Sequence, residues 1–498
     1  MGKIVETIID EFDGGWNNDP RNGVKNKASA MGHFDTRTRP NRLTPYRGME
    51  SGDSDALNNF ITQFLAYNNK LYGFGTASGA TSHKIWERSD FTGNTWTAFA
   101  AATAGTRYPY VFIEQGSAAF VWDTATPDLL NTDLDGAASL GATFVAGTFS
   151  GATFFGQPCV HSKDKKVYLP YDNKIARVDY GVLNESAVLT LPSSQQIVCV
   201  SEYGNYLAIG ARPATNRLGE GSVVYLWDRD SSLATVSEII DAGSEALQIV
   251  DVVDGELITI SVNINVTSAN LFPKIVFRRF NGSTLEVFQE IQCSAIVPSQ
   301  VIQRQRYNGR LYFNFIGAIE GTTYAGIWSI GRSRPGQPLT VTLDYIPDPN
   351  GTVDTIYGFK HINDYLFVST NRSATEAMWK TNDASSYTTT SFYDTSVIKG
   401  SSQSIKKKLL GVTVAHPPLP AAGQIVLKYK KDADSSFTTI FTHTTDDSIS
   451  HSAINIESSG ANLPEFKEIR FRVESTGGAE VTEISCKHEE TNRDGAYD

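Results

Sequence analysis

Three pairs of acids, Asp228 with Asp230, Asp432 with Asp434, and Asp446 with Asp447, stand close enough to do general acid and base work on a glycosidic bond. Each pair falls in a stretch of turn composition, where a carboxylate caps backbone amides, and turn chemistry is the reading they favour. The nearest histidine pair, His443 and His451, falls on neighbouring expected strands without the further ligands of a zinc site. IPDPNGT, with Asp348 to Gly351, has oxygen ligands but lacks the regular spacing of a calcium loop. Arg37 and Arg39 in TRTRP, and Tyr46 and Arg47 in TPYRG, offer cations and a phenol for an anionic substrate, but they precede every repeat described below. Cys159, Cys199, Cys293 and Cys486 lie far apart, in no metal-ligand or redox spacing, and read as small core residues of a protein folded in a reducing compartment. There is no G-x-S-x-G elbow, phosphate loop or H-E-x-x-H string. The expectation is a chain with no catalytic residues, no metal and no cofactor.

The elements that would have to position any such group repeat along the chain. An apolar strand, a two-residue turn of the Asn/Asp/Gly class and a second apolar strand recur as FLAYNNKLYGFG, FIEQGSAAFVW, VHSKDKKVYLPY, VSEYGNYLAIG, IVDVVDGELITI, RQRYNGRLYFNF and FKHINDYLFVST. Asn308-Gly309 and Asp254-Gly255 are strong hairpin turns, because both central residues tolerate positive φ. The copies are about 40 to 55 residues apart, the period of a four-stranded propeller blade, and a third strand bearing an aromatic follows most of them. Seven copies predict about seven blades. Six is the alternative, since the second copy runs into the small-residue stretch 136 to 156.

S89-D-F-T-G-N-T-W96, after the first hairpin, resembles the Asp box, S-x-D-x-G-x-T-W, of sialidases and other β-propellers. It departs from the pattern in placing the acid one position early, at Asp90, with Phe91 in its stead. The resemblance implies scaffold work, with Trp96 plugging between blades, and leaves a propeller glycosidase as the weakest of the functional alternatives.

Only 19% of residues are charged, and 21 Tyr and 26 Phe accompany abundant small polar residues, which suits many short strands joined by tight turns. The formal net charge of −11 argues against general attraction to nucleic-acid phosphate and suits a wall past which DNA slides. Lys406-Lys407-Lys408 is the one basic cluster and reads as a solvated strand edge. No apolar run reaches membrane-span length, and MGKIVETIIDEF does not read as a signal peptide.

The ends differ from the repeat. Residues 1–55 read as an extended arm too polar to fold alone, 56–390 as the propeller, 391–490 as a β-sandwich of closely spaced alternating strands, and 491–498 as a polar tail. The fold class expected is all-β.

Arm, propeller and sandwich in that order resemble tail nozzle, tubular and stabilization proteins of podovirus-type bacteriophage tails. The matching residues are Gly14-Gly15-Trp16, Asp19-Pro20-Arg21, Ala30-Met31, His33-Phe34-Asp35, Leu43, Pro45 and Arg47 in the arm, and Phe392, Lys406 to Leu410 and Pro417 to Pro420 near the other end. The chain is shorter than the better-known nozzle proteins and lacks their glutamine-rich SQQP string. The resemblance implies a non-enzymatic virion component made in the host cytoplasm. It would be a ring subunit, with a hexamer favoured, around the DNA exit channel, docking neighbouring tail, adaptor or fibre proteins, with no membrane anchor and no specific DNA binding. It also implies that Trp16, Pro20, Arg21, Phe34, Arg42 and Arg47 meet partner subunits, the alternative being an arm strapped across its own chain. A second functional reading is a tail fibre or receptor-binding protein, with Tyr108, Tyr110 and Tyr387 stacking on cell-surface glycan.

Overall fold

The computed structural model describes residues 3–490 except 17–26, 52–58, 78–81, 89–90, 92–95, 105–110, 115–117, 124–127, 134–141, 146–151, 153, 155, 180–181, 215–220, 231, 233–234, 264–272, 297–302, 320, 348–352, 354, 373–374, 382–386, 388, 403, 445–451 and 456–463. Within them the chain is all-β: a β-propeller of seven antiparallel sheets and a C-terminal sandwich. The arm supplies five labelled strands, β1 (Lys3–Ile9), β2 (Ala28–Gly32), β3 (Phe34–Asp35), β4 (Thr44–Pro45) and β5 (Met49–Ser51).

The first five propeller sheets are four-stranded meanders opening with Asn59–Tyr67, Val111–Glu114, Cys159–Val160, Gln195–Tyr203 and Ala246–Val253. The hairpins turn where expected: Asn308 and Gly309 have φ of 48° and 71°, Asp254 and Gly255 of 50° and 82°. The weakest copy also forms a full sheet, whose fourth strand, Ala142–Val145, comes from the small-residue stretch. The count is therefore seven. In the sixth sheet Ala295–Ile296 and Arg304–Tyr307 both pair with Arg310–Ile319, followed by Thr322–Gly331 and Thr340–Tyr345. The seventh comprises Thr355–Ile362, Tyr365–Arg372 and Thr375–Thr381, and takes its fourth strand, β5, from the arm.

Neighbouring sheets stack through apolar faces. Tyr168, Ile175 and Leu189 of the third meet Ile197, Leu207 and Trp227 of the fourth, and Val224 and Ile240 of the fourth meet Leu247 and Leu257 of the fifth. The last and first sheets also join: Ile362, Phe367 and Met378 pack with Ile61, Phe64, Leu71, Trp86 and Trp96. Trp96 is thus a plug between blades, the scaffold role implied by its motif; Ser89, Asp90 and 92–95 lie outside the described residues. Gly358 permits the close approach there, since a Cβ on it would stand 2.5 Å from the Thr62 carbonyl oxygen.

The sandwich is built from both ends of the chain. One sheet runs β1, Glu483–Glu490, Lys407–Ala415, Ser452–Asn455; the other runs β2, Ser391–Thr395, Ile469–Thr476, Gln424–Lys431, Thr438–His443. Ile469, Phe471 and Val473 alternate inward, as do Ile425 and Leu427. By contact the chain divides into Met1–Met49 with Ile327–Pro349 and Asn382–Asp498, and Glu50–Gly326 with Asn350–Thr381. The arm is therefore grouped with the sandwich strands, and residues 391–490 lack the edge strand that each sheet takes from residues before 33.

Candidate functional sites: a polar hub and the arm anchors

The first strand of each blade borders the centre of a propeller, and that of the sixth sheet carries Arg304-Gln305-Arg306-Tyr307. Alternation sends Arg304 and Arg306 to one side and Gln303 and Gln305 to the other. Arg304 Nε lies 3.1 Å from Asp251 Oδ2, and its two Nη groups donate to the Val250 and Val200 carbonyls. Arg306 Nε donates to Asp251 Oδ1 at 2.5 Å, and Nη2 donates to Ser201 Oγ at 2.9 Å. Ser201 Oγ in turn donates to Asp251 Oδ1 at 3.0 Å. On the other side Gln303 Nε2 donates to the carbonyls of Thr62 at 2.6 Å and Tyr357 at 2.7 Å, while Gln305 exchanges two bonds with the His361 backbone. Four consecutive side chains, Gln303 and the first three of this strand, thus tie the first, fourth, fifth, sixth and seventh sheets.

Beside this hub Arg229 Nη1 donates to Asp164 Oδ2 at 2.7 Å and lies 3.1 Å from His161 Nδ1; Tyr168 also donates to Asp164, at 2.8 Å. Arg229 has only protons to offer, so Nδ1 is the acceptor and the proton of this buried histidine sits on Nε2. Burial, then the Arg229 charge, lower the His161 pKa. Burial works against the Asp164 charge, but Tyr168, the Lys166 amide and Arg229 outweigh it and hold the carboxyl below its ordinary range. Glu202 is likewise lowered, burial being overcome by the Ser162 hydroxyl and amide. Among the described residues every carboxyl whose pKa is displaced moves down, namely Asp164, Glu202, Asp230, Glu245 and Glu490. A glycosidic acid needs the opposite displacement. The thiols are no better placed as nucleophiles: burial pushes Cys159 up to about 11 and Cys293 up to about 12. No group of three or more His, Cys, Asp or Glu among the described residues is placed to hold a metal ion.

The acid pairs do turn work where they are described. Asp228 accepts from the Asp230 amide at 3.0 Å and Asp230 from the Ser232 amide at 2.8 Å, while Asp432 caps the amides of Lys467 and Glu468 at 2.7 and 3.0 Å. Asp446, Asp447 and His451 lie outside the described residues; His443 instead neighbours His416, with ring centroids 4.9 Å apart. The lysine run departs from its expected role at one position: Lys407 is buried, donating to the carbonyls of Ser402, Ile405 and Lys467 at 2.6, 2.9 and 2.8 Å. In an alternating strand the middle residue of three necessarily faces the other way.

The arm residues divide into anchors and surface. Trp16 is buried with its ring 5.0 Å from Trp328, and its amide donates to the Val341 carbonyl at 2.9 Å. Phe34 is also fully buried. Their own chain already encloses both side chains, so in this structure they act as internal anchors of the arm. Arg37, from TRTRP, is buried too: it donates to Ser329 Oγ and O at 2.5 and 3.0 Å and to Thr340 Oγ1 and O at 3.2 and 2.6 Å, with Asp344 at 4.0 Å. So saturated a guanidinium cannot serve a substrate carboxylate. Arg42 keeps a partly exposed side chain while pairing with Glu480 at 2.7 Å; Arg39 reaches the same acid at 3.2 Å and Arg47 is exposed. Pro20 and Arg21 lie outside the described residues, as do Tyr108 and Tyr110, while Tyr387 is half-buried over Gly478. The hub itself escaped sequence reasoning; its only trace was the alternating Q-R-Q-R before the Asn308-Gly309 turn.

No family model matches the chain, and no curated protein matches it. Among solved structures it is similar to the Dos1 propeller, with TM-score 0.40 and 11% identity over 71% of this chain and 83% of that one. It is also similar to a chain of the mitotic checkpoint complex, with TM-score 0.41 and 14% identity over 68% and 95%. A third is an exo-β-1,3-galactanase from Phanerochaete chrysosporium with galactose, with TM-score 0.33 and 10% identity over 89% and 100%.

Proposed function

We propose that the chain is a non-enzymatic structural subunit of a tailed-bacteriophage virion, a nozzle or collar-type ring component that holds neighbouring tail proteins around the DNA path. The observation that carries the reading is what the hub does with its charges: the arginines, amides and carboxylates at the propeller centre bond to one another and to backbone, tying five sheets together. Such wiring stiffens a scaffold, and beside it Asp164 and Glu202 are held below the ordinary carboxyl range, whereas a glycosidic acid needs a raised one. The resemblance in domain order and arm motifs supplies the virion context, and the net charge of −11 suits a surface past which DNA moves without sticking. In this reading the docking side chains of the arm are Arg42 and Arg47, joined by Arg39, while Trp16 and Phe34 fix the arm in place.

Native mass measurement and low-resolution imaging of the full-length protein test the proposal. Rings are expected, and Arg47→Glu, which breaks no ion pair described in the fold, should lower their yield without changing the melting temperature. A protein that stays monomeric at tens of micromolar, or that releases reducing sugar from a glycan panel, overturns it.

A further inference from the structure

We propose that β1 pairs edge to edge, antiparallel, with β1 of a second copy, joining two sandwich sheets into one continuous sheet. β1 ends its sheet: it pairs with Glu483–Glu490 on one side in an unbroken register from Lys3 with Glu490 to Ile9 with Ile484. Among the described residues no strand lies on its other side, where a row of amides and carbonyls faces outward. A free edge of seven residues with neither proline nor bulge is a template for another strand, and proteins that stay monomeric usually blunt such edges.

The side chains point to the occupant. Val5, Thr7 and Ile9 turn toward the sandwich, while Ile4, Glu6 and Ile8 face out, with Ile4 65% and Ile8 40% exposed. These are two of only six large hydrophobic residues so exposed among the described residues. An antiparallel pair centred on Glu6 sets Ile4 of each strand opposite Ile8 of the other, twice by symmetry, and aligns all seven residues. The same arrangement brings Lys3 toward the exposed Asp10 and Glu11 that follow the partner's strand, so opposite charges meet at both ends. The central Glu6 is balanced by Lys487 of its own sheet at 3.3 Å. A strand whose apolar residues and end charges complement its own reversal fits a second copy. The inference is independent of the virion reading.

Two single-cysteine variants, Ile4→Cys and Ile8→Cys, treated with a short bis-maleimide separately and mixed, decide it. Across the pair, residues 4 and 8 are adjacent whereas residues 4 and 4 are about 14 Å apart. The mixture should give dimers containing one of each variant, well above either variant alone and above the wild-type chain with its four native cysteines. Ile4→Lys with Ile8→Lys should halve the native mass at an unchanged melting temperature. Cross-linking no better in the mixture than in the separate samples, or a native mass untouched by the two lysines, overturns the proposal, as does a monomer that accepts only a foreign peptide strand.

Discussion

Removing the acid at the centre of the hub should destabilise the propeller far more than a surface ion pair does. Asp251 and Arg304 have side chains only 5% and 9% exposed, and Asp251 also receives Arg306 and Ser201. In Asp251→Ala the Arg304 guanidinium keeps its two carbonyl acceptors but loses its countercharge in a site water barely reaches. Truncating one partner of a buried pair costs about 3–5 kcal/mol, because the charge left behind is uncompensated. Arg306, nearly half exposed, adds little to that figure once solvent screens it. By contrast Glu87→Ala removes the partly exposed, solvent-screened pair with Lys70 and should cost about 1 kcal/mol or less. Thermal melting followed by circular dichroism should place Asp251→Ala on the order of 5–10 °C below wild type, and Glu87→Ala within about 2 °C of it. Adding Arg304→Met removes the orphaned charge, so the double variant should melt above Asp251→Ala alone. A single variant that melts like wild type, or a double variant lower by the sum of both losses, refutes the argument that the pair acts as one buried unit.

Acid should loosen the arm through His33, whose pKa burial lowers to about 4 despite opposing backbone bonds from Arg47 and Tyr46. The folded state favours the neutral ring, so stability present above the unfolded value of about 6.5 is lost as pH falls toward 4, by about 3 kcal/mol. His33→Gln should flatten melting temperature against pH across that window, and an unchanged slope assigns the acid sensitivity elsewhere. Trp16→Ala opens a cavity beside Trp328 and should cost about 3–5 kcal/mol, read as a lower urea midpoint; a midpoint equal to wild type would mean the arm is not anchored there. Gly358→Ala drives a methyl into the Thr62 carbonyl and should cost at least about 1–3 kcal/mol, whereas Gly309→Ala, with open space around it but φ of 71°, should cost about 1 kcal/mol; comparable melts for the two would refute the close approach.

Sequence patterns report local faces, and what was legible follows from that. Asn-Gly and Asp-Gly turns declare themselves in two residues, and Trp96 lies in a motif of eight, so the hairpins and the plug were readable. β2 was not, because Ala28 to Gly32 is buried on both faces and shows no alternation. Its partner, Ser391–Thr395, lies over 350 residues away, and nothing in ASAMG names it. The hub hid for a related reason. Arg304 and Arg306 in RQRY look like the solvated face of an ordinary hairpin, and Asp251 stands among valines that suggest only core. It takes the closed ring of sheets to bring an acid 55 residues upstream of Arg306 beneath it. Trp16 and Phe34 stood out as aromatics in a polar arm, but composition alone does not say whether an aromatic is buried in its own chain or offered to another.

The strands β1, β2 and β5 leave the ribosome well before the strands they pair with. β5 must wait for Thr375–Thr381, β2 for Ser391–Thr395, and β1 for Glu483–Glu490. At ordinary rates of synthesis that is a delay on the order of tens of seconds. Until then these three strands have nothing to pair with, the seventh sheet lacks its outer strand and neither sandwich sheet has its arm-derived edge. A stalled or truncated product therefore lacks the flat outer edge of β1, and an unfinished copy is sorted from finished ones by its own topology.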